Sequence, residues 1–271
     1  MSIDELDQQH PLRLFFNGKD SQETSKKLVA LFLIYYYFVK VFGPKWMRLR
    51  APFNLHPHLL IYNGYQFGVH GVGFLLALWT TDLGTLSWSC HSTDSHTKDI
   101  KSLFSVYVAY IFLWAKIMEC LETVMYILMK KRRYIHLIEI FRTFANVGLI
   151  YTGLKLYPGN LAVFYPLCDL LVGVFIFGHN TLLSASVDLK PRRWWKKFIF
   201  TMRLMEFAAL FLHGIHILKQ PSCLVPRILP IYECLFAIFN VVIICSYYFN
   251  ITYGMTRVGP ASQPPQQTFS S

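Results

Sequence analysis

Apolar residues fill seven long stretches of this chain, and short polar or basic stretches separate them. Each apolar stretch is close to the roughly 20 residues with which a helix crosses a bilayer. The pattern therefore predicts an all-α membrane protein with seven transmembrane helices. The predicted spans are residues 27–42, 58–80, 104–129, 135–151, 161–187, 198–218 and 228–253. The first is short and the fourth is weak, so a count of six, with a re-entrant fourth segment, stays open.

Basic residues concentrate in the first, third and fifth connecting loops, and by the positive-inside rule these three loops are cytosolic. With seven spans, the N-terminus is then lumenal or extracellular and the C-terminus cytosolic. The formal net charge of +11 reflects these topology signals, because no folded soluble domain remains to bind nucleic acid. The loop residues are Lys45, Arg48 and Arg50; Lys130, Lys131, Arg132 and Arg133; and Lys190, Arg192, Arg193, Lys196 and Lys197.

The chain divides into three parts. Residues 1–26 are polar and carry no signal-peptide pattern, and we expect them to form a lumenal N-terminal segment. Residues 27–253 form the membrane domain. Residues 254–271 are rich in Pro, Gln and Ser and should form a disordered cytosolic tail. This tail contains no lysine, so it lacks a C-terminal dilysine retrieval signal.

Two cysteines, Cys90 and Cys223, fall in different loops on the predicted lumenal side. The redox environment there permits a disulfide, so a Cys90–Cys223 bridge is a candidate. The cysteines within the spans are interpreted as packed thiols, and Cys234, near the lumenal end of the last span, is ambiguous. The packed thiols are Cys120, Cys168 and Cys245.

Four polar residues interrupt the third span: Lys116, Glu119, Glu122 and Thr123. A charged side chain at the centre of a bilayer costs about 2.5–3.5 kcal/mol even on the lower estimates. The spacing i, i+3, i+6 and i+7 places the four near one another on a helix. A lysine and a glutamate could simply neutralise each other, but a second glutamate and a threonine exceed that need. We therefore predict a functional site inside the bundle.

Other polar residues in the spans are weaker signals. His179 lies late in the fifth span beside Asn180, where it is either a packing residue or part of a site. Arg203 and Glu206 are three residues apart in the sixth span and should form an ion pair. No metal site is expected, because no pair of histidines is joined by a third ligand at a metal-binding spacing.

Several motifs make the chain resemble the fatty-acid elongase family, the membrane 3-oxoacyl-CoA synthases of the endoplasmic reticulum. Residues 43–63 are similar to the family's first cytosolic loop and the start of its second helix. KIMECLET matches K-x-x-E-x-x-D-T, with Glu122 in place of aspartate. WWKKFIFTMRLMEF is similar to the sixth-span box T-x-x-Q-x-x-Q-F. The resemblance covers residues 28–253 in co-linear order.

The chain also departs from the family. Glu139, Arg142 and Thr143 stand where the three histidines of the H-x-x-H-H box belong. His179 is retained in its own box, but most of that box is changed. In the sixth-span box, the threonine and the two glutamines are replaced by Phe200, Arg203 and Glu206.

The resemblance implies six helices around an acyl-chain tunnel, with the first helix outside. It also implies two-carbon extension of long-chain acyl-CoA with malonyl-CoA, without a further cofactor, in the endoplasmic reticulum membrane. The site residues would be Lys116, Glu119, Glu122, Thr123 and His179. Partners would be the lipid bilayer, acyl-CoA and other elongases or elongation-cycle enzymes. A seven-helix receptor is disfavoured by the intramembrane quartet.

Loss of the box histidines favours an alternative for the mechanism. Arginine stays protonated and cannot replace an imidazole as nucleophile or proton carrier. The chain would then keep the scaffold, lose or weaken the condensation, and bind acyl-CoA or regulate active elongases. Glu139 and Arg142 would form a salt bridge, and Arg203 and Glu206 would extend a charge network toward Glu119 and Glu122.

Overall fold

A computed structural model describes residues 18–88, 100–131, 137–156, 160–185, 193–220, 223 and 225–257. These residues form helices and the turns between them, with no strand in the described part of the chain. The prediction of an all-α protein is confirmed.

The helices follow one another with short connections. The first is α1 (Gly18–Tyr37), which continues through a π-helical turn (Phe38–Phe42) into the short α2 (Gly43–Met47). Pro44 has no backbone N–H to continue the α-helical ladder, and the Gly43 N–H donates to the Phe38 carbonyl instead. The remaining helices are α3 (His56–Thr80), α4 (Thr85–Trp88), α5 (Ile100–Leu128), α6 (Leu137–Leu156), α7 (Phe164–Ala185, after a 3-10 turn at Asn160–Val163), α8 (Arg193–Lys219) and α9 (Ile228–Arg257).

Each predicted span falls on a long helical segment, but the ends differ. The first helix begins at Gly18, inside the predicted N-terminal segment, because the polar run before the span is rich in helix-forming Lys, Glu and Gln. The segment long and apolar enough to cross a membrane starts at Lys26, next to the predicted boundary. Residues 1–17 and 258–271 lie outside the described residues, and so does Cys90.

Five helical segments within the described residues are long and apolar enough to cross a membrane: Lys26–Met47, Phe104–Leu128, Phe164–Ala185, Lys197–Lys219 and Ile228–Ser246. The predicted second and fourth spans, on α3 and α6, are not among them. These two helices direct polar side chains inward, with Gln66 and His70 fully buried and Asn146 6% exposed. Polar residues that face other helices lower the hydropathy of a helix, so the count of seven spans remains a prediction.

Six helices contact one another in a closed ring, in the order α3, α7, α8, α9, α6, α5 and back to α3. Their shared apolar core contains Phe112 of α5, Leu170 of α7, Leu210 of α8 and Ala237 of α9. A second, smaller cluster joins the π turn and α2 to the adjoining ends of α5 and α6; it consists of Val39, Met47, Ile127 and Ile140.

The outward faces of the helices remain apolar. Ile61, Leu75 and Val242 are 71%, 65% and 58% exposed. Exposed apolar surface on this scale marks contact with lipid or another apolar phase. The outer surface therefore fits a lipid environment, while the polar side chains of α3 and α6 named above lie inside.

Two basic loops lie side by side at one end of the ring. The Phe53 N–H, in the loop before α3, donates to the Leu128 carbonyl at the end of α5 at 3.1 Å. This end carries Arg48 and Arg50 beside Lys130 and Lys131, and we call these four residues the basic end. Their proximity agrees with the prediction that the first and third loops lie on the same side of the membrane.

Candidate functional site

Five charged side chains from three helices form one connected network. Lys116 Nζ lies 2.7 Å from Glu119 Oε1 and 2.5 Å from Asp169 Oδ2. Arg203 Nη1 lies 2.6 Å from Asp169 Oδ1 and 2.8 Å from Glu206 Oε2. Asp169 of α7 thus connects the α5 pair to the α8 pair. We call these five residues the ion-pair network.

The network is enclosed by protein near the middle of the helices. Lys116, halfway along the candidate span Phe104–Leu128, is 1% exposed, as is Asp169, and Glu206 is 4% exposed. Glu119 and Arg203 are the more open members, with side chains 19% and 15% exposed. Buried charges persist where they are paired. The pairing therefore explains how three helices keep these residues in a bilayer.

The His70 imidazole lies against the network from α3. Its Nδ1 lies 2.8 Å from the Gln66 carbonyl, which only accepts, so Nδ1 carries a proton and donates it. Its Nε2 lies 3.7 Å from Glu119 Oε1 and has no hydrogen-bond partner among the described residues. The ring occupies space that Gly173 of α7 leaves open, since a Cβ there would lie 2.1 Å from a ring carbon. Phe177 covers the ring, with 4.8 Å between ring centroids.

Further polar side chains of α3 bond to the backbone of α5. Gln66 Nε2 donates to the Ala115 carbonyl at 3.2 Å, and the Tyr62 hydroxyl donates to the Met118 carbonyl at 3.3 Å. Residues 62, 66 and 70 follow the i, i+4, i+8 spacing of one helix face. This polar face of α3 fixes His70 relative to Lys116 and Glu119.

His70, Glu119 and Asp169 could by distance hold a cation, because one ligand atom of each lies within 4.8 Å of the others. The two carboxylates already contact the Lys116 ammonium, at 2.7 and 2.5 Å. A metal ion there would be repelled by this adjacent positive charge. The geometry therefore favours an ammonium-centred site over a metal centre.

The structure separates the four residues predicted on α5. Lys116 and Glu119 belong to the network, whereas Glu122 Oε1 accepts a hydrogen bond from the Tyr126 hydroxyl at 2.8 Å. Thr123 lies within hydrogen-bonding reach of Tyr35 on α1. Residues six apart on a helix are offset by about 120° around its axis, so Glu122 cannot share the direction of Lys116.

The predicted ion pair between Arg203 and Glu206 is present. Its predicted extension toward Glu119 runs through Lys116 and Asp169. Sequence reasoning missed Asp169, although an aspartate inside an apolar span (LCDLL) is itself a signal of function. It also missed His70, which lies in the apolar segment GVHGVG.

His179 stacks on Trp195 of α8, with 4.4 Å between ring centroids and 11° between ring planes. It is ten residues beyond Asp169 on α7, or about 15 Å along the helix axis. The structure therefore places His179 toward the basic end, away from the network.

The altered box positions lie on two helices. Arg142 and Thr143 lie on α6 and are partly buried, and Phe200 lies on α8. The side chain of Glu139 is outside the described part of the structure. The proposed Glu139–Arg142 salt bridge therefore remains a prediction.

A second polar cluster lies at the end of the ring opposite the basic end. His213 Nδ1 lies 2.7 Å from Glu233 Oε1, and His213 Nε2 lies 3.0 Å from the Ser87 carbonyl. Cys223, nearby in sequence, is disulfide-bonded. Because Cys90 is outside the described residues, the Cys90–Cys223 pairing remains a prediction. The free thiols among the described residues are Cys120, Cys168, Cys234 and Cys245.

Comparison with known proteins agrees with the motifs. The profile of the GNS1/SUR4 family matches residues 22–258. Very long chain fatty acid elongase F of Drosophila melanogaster is 33% identical over 226 residues, which cover 80% of this chain and 85% of that protein. Very long chain fatty acid elongase 1 of Mus musculus is 28% identical over 200 residues, covering 72% of this chain and 70% of that protein. This chain is therefore a multi-pass membrane protein that belongs to the GNS1/SUR4 family, the family of the fatty acid elongases.

Proposed function

We propose that this protein extends long-chain acyl-CoA by two carbons with malonyl-CoA, and that it releases CoA and carbon dioxide as a 3-oxoacyl-CoA synthase. The family supports an elongase-type function, and the ion-pair network supports this reaction in particular. Lys116 and Glu119, the residues that match the family motif, lie in a buried polar centre whose charges are otherwise costly in a bilayer.

An imidazole beside the network favours condensation over simple binding. The H-x-x-H-H box is absent from the sequence, but His70 Nε2 faces Glu119 from α3. Imidazole exchanges protons near neutral pH, as decarboxylative condensation requires. The chemical type of side chain that the box lost is therefore still present at the centre of the bundle.

The surroundings of the network fit such substrates. The basic end offers Arg and Lys side chains for the phosphates of CoA. The apolar interior of the six-helix ring would hold the acyl chain in a tunnel between the basic end and the opposite end. By the loop charges, the basic end would be cytosolic in the endoplasmic reticulum membrane.

The second candidate is an elongase relative that binds acyl-CoA, or associates with active elongases, without condensation. The observation that favours it is the pairing of Lys116 and Arg203 with carboxylates, which leaves their charge engaged within the protein. Arg142 and Thr143 cannot take over from box histidines, which strengthens this alternative.

Two measurements on one preparation of the full-length protein separate the candidates. Purified protein in lipid nanodiscs is incubated with a long-chain acyl-CoA and radiolabelled malonyl-CoA. The labelled 3-oxoacyl product is then counted, and acyl-CoA binding is measured in parallel. We expect binding and product from the wild type, and product reduced by roughly 10²-fold in Glu119→Gln.

The control variant is Lys101→Gln, which removes an exposed charge at the opposite end of α5 and should retain the wild-type rate. Binding without product would establish the second candidate. Absence of both would contradict both.

A further inference from the structure

The ion-pair network contains more negative than positive groups. Its cations are Lys116 and Arg203, and its carboxylates are Glu119, Asp169 and Glu206. With all five ionised, the network carries a net charge of −1. An uncompensated charge is costly in a buried, low-dielectric site. One additional proton makes the network neutral.

His70 is the group best placed to hold that proton. Its Nδ1 is already protonated by its bond to the Gln66 carbonyl, so a second proton on Nε2 creates an imidazolium facing Glu119 at 3.7 Å. The other network atom with a similar position is Glu206 Oε1, which is buried without a hydrogen-bond partner among the described residues. Imidazole is intrinsically more basic than a carboxylate, which favours His70.

The groups around His70 favour the charged ring. Tyr62 and Gln66 face it from its own helix, and both are neutral. Glu119 and Lys116 face it from α5, Asp169 from α7, and Arg203 and Glu206 lie behind Asp169 on α8. The carboxylates outnumber the cations, and the nearest charged atom to Nε2 among the ion pairs is the Glu119 oxygen.

We propose that His70 stores the proton that the condensation consumes and delivers it through Glu119. This inference rests on the proposed function. The ring position is specific to the fold, because only a residue without a Cβ at position 173 admits it. His70 is fully buried and acts through the partly exposed Glu119, so it is a positioning residue rather than one that contacts substrate.

The stoichiometry of the reaction requires such a proton. When malonyl-CoA loses carbon dioxide, the electron pair of the broken C–C bond becomes the enolate of the remaining thioester. This enolate forms a new C–C bond with the acyl carbonyl carbon. The acyl C–S bond then breaks, and its electron pair leaves on the CoA thiolate.

Carbon dioxide leaves without charge, so one proton must be supplied to convert the thiolate to the thiol. His70 Nε2 gives its proton to Glu119, Glu119 gives its own to the thiolate, and His70 is reprotonated from water. The network returns to its starting charge after each cycle.

The test combines spectroscopy with kinetics on the full-length protein in nanodiscs. Nitrogen NMR of ¹⁵N-histidine-labelled protein is recorded from pH 5 to 9 for the wild type, His70→Gln and the matched control His216→Gln. His216 lies thirteen residues beyond Arg203 on α8, about 20 Å along the helix, and it stacks on Trp88. We expect one titrating histidine signal to vanish in His70→Gln and to persist in His216→Gln.

Kinetics on the same variants test the use of this proton. His70→Gln should lower the elongation rate by at least about tenfold and alter the pH dependence of kcat. His216→Gln should change the rate by less than about twofold. Glu206→Gln should move the His70 titration to lower pH, because the remaining two carboxylates balance the two cations and no extra proton is needed. If His70→Gln does not fold, this shift still identifies the His70 signal.

The two failures are distinguishable. A His70 signal that stays neutral from pH 5 to 9 overturns the storage of a proton, whether or not the protein elongates acyl-CoA. A titrating His70 in a protein that forms no product upholds proton storage and overturns its use in condensation, together with the proposed function. A pH dependence of kcat that His70→Gln leaves unchanged also overturns that use.

Discussion

At the scale of single residues, Asp169 is the member on which the ion-pair network depends. Its two oxygens contact cations from two different helices, Lys116 of α5 and Arg203 of α8. The network keeps these cations buried only because Asp169 lies between them. Its contribution is seen best as the cost of removing it, since a buried pair formed at full desolvation adds little net stability by itself.

Asp169→Asn removes this charge at nearly constant volume. We expect the free energy of unfolding to fall by about 3–5 kcal/mol, because two buried cations lose a counter-ion. Reversible unfolding in detergent micelles measures the change.

The matched control for Asp169→Asn is Asp82→Asn, which breaks an ion pair with Lys101 of the same 2.5 Å length at exposed side chains. There the cost should be under about 1 kcal/mol. Equal losses in the two variants would contradict a special role for burial in the network.

At the scale of helices, the closest approach in the site is between α3 and α7. The His70 ring lies over Gly173, and Phe177 one turn further along α7 covers its side. The absence of a side chain at one position of α7 therefore decides where the imidazole of α3 lies. The helices and the site are specified by the same contact.

Gly173→Ala should displace the ring and destabilise the protein by about 1–3 kcal/mol, because the new Cβ would overlap it. Gly71→Ala is the control, since nothing lies within 4 Å of a Cβ there. It should be neutral or stabilising by up to about 1 kcal/mol, as alanine is the better helix former. Unfolding midpoints in detergent compare the two.

Combination of Gly173→Ala with His70→Ala tests the contact itself. The double variant should cost less than the sum of the single ones, because each removes the clash or the partner of the other. Strict additivity would show that the two residues do not interact.

At the scale of the whole molecule, the basic loops define an orientation. The first and third loops meet at the basic end, where a backbone hydrogen bond joins Phe53 to Leu128. The loop between α8 and α9, with the disulfide-bonded Cys223, follows Lys219 at the other end of α8. A membrane around the ring would place the two ends in different compartments.

Cysteines introduced at Arg50 and Lys219 should therefore differ in access. On intact microsomes, a membrane-impermeant maleimide should label Arg50→Cys above the wild-type background, whereas Lys219→Cys should need permeabilised membranes. The positive-inside rule sets this direction. Labelling of both on intact vesicles would contradict the topology, and the reverse result would invert it.

Much of the fold followed from local periodicity. Runs of apolar residues predicted long helices, and the i, i+3 spacing predicted the pair between Arg203 and Glu206. The site was predicted less completely. The spacing of four polar residues on α5 suggested one cluster, but only Lys116 and Glu119 join the network, since side chains on one helix diverge around its axis. His179 was expected in the site and instead stacks on Trp195.

The sequence by itself determined the helices, the placement of basic loops and the family motifs, because each depends on residues close together in the chain. The tertiary structure decided which charges meet. Asp169 joins Lys116 to Arg203, and His70 faces Glu119, only because α3, α5, α7 and α8 are neighbours in the bundle. Contacts between residues distant in sequence depend on the order and rotation of packed helices, which no local pattern of apolar and polar residues specifies.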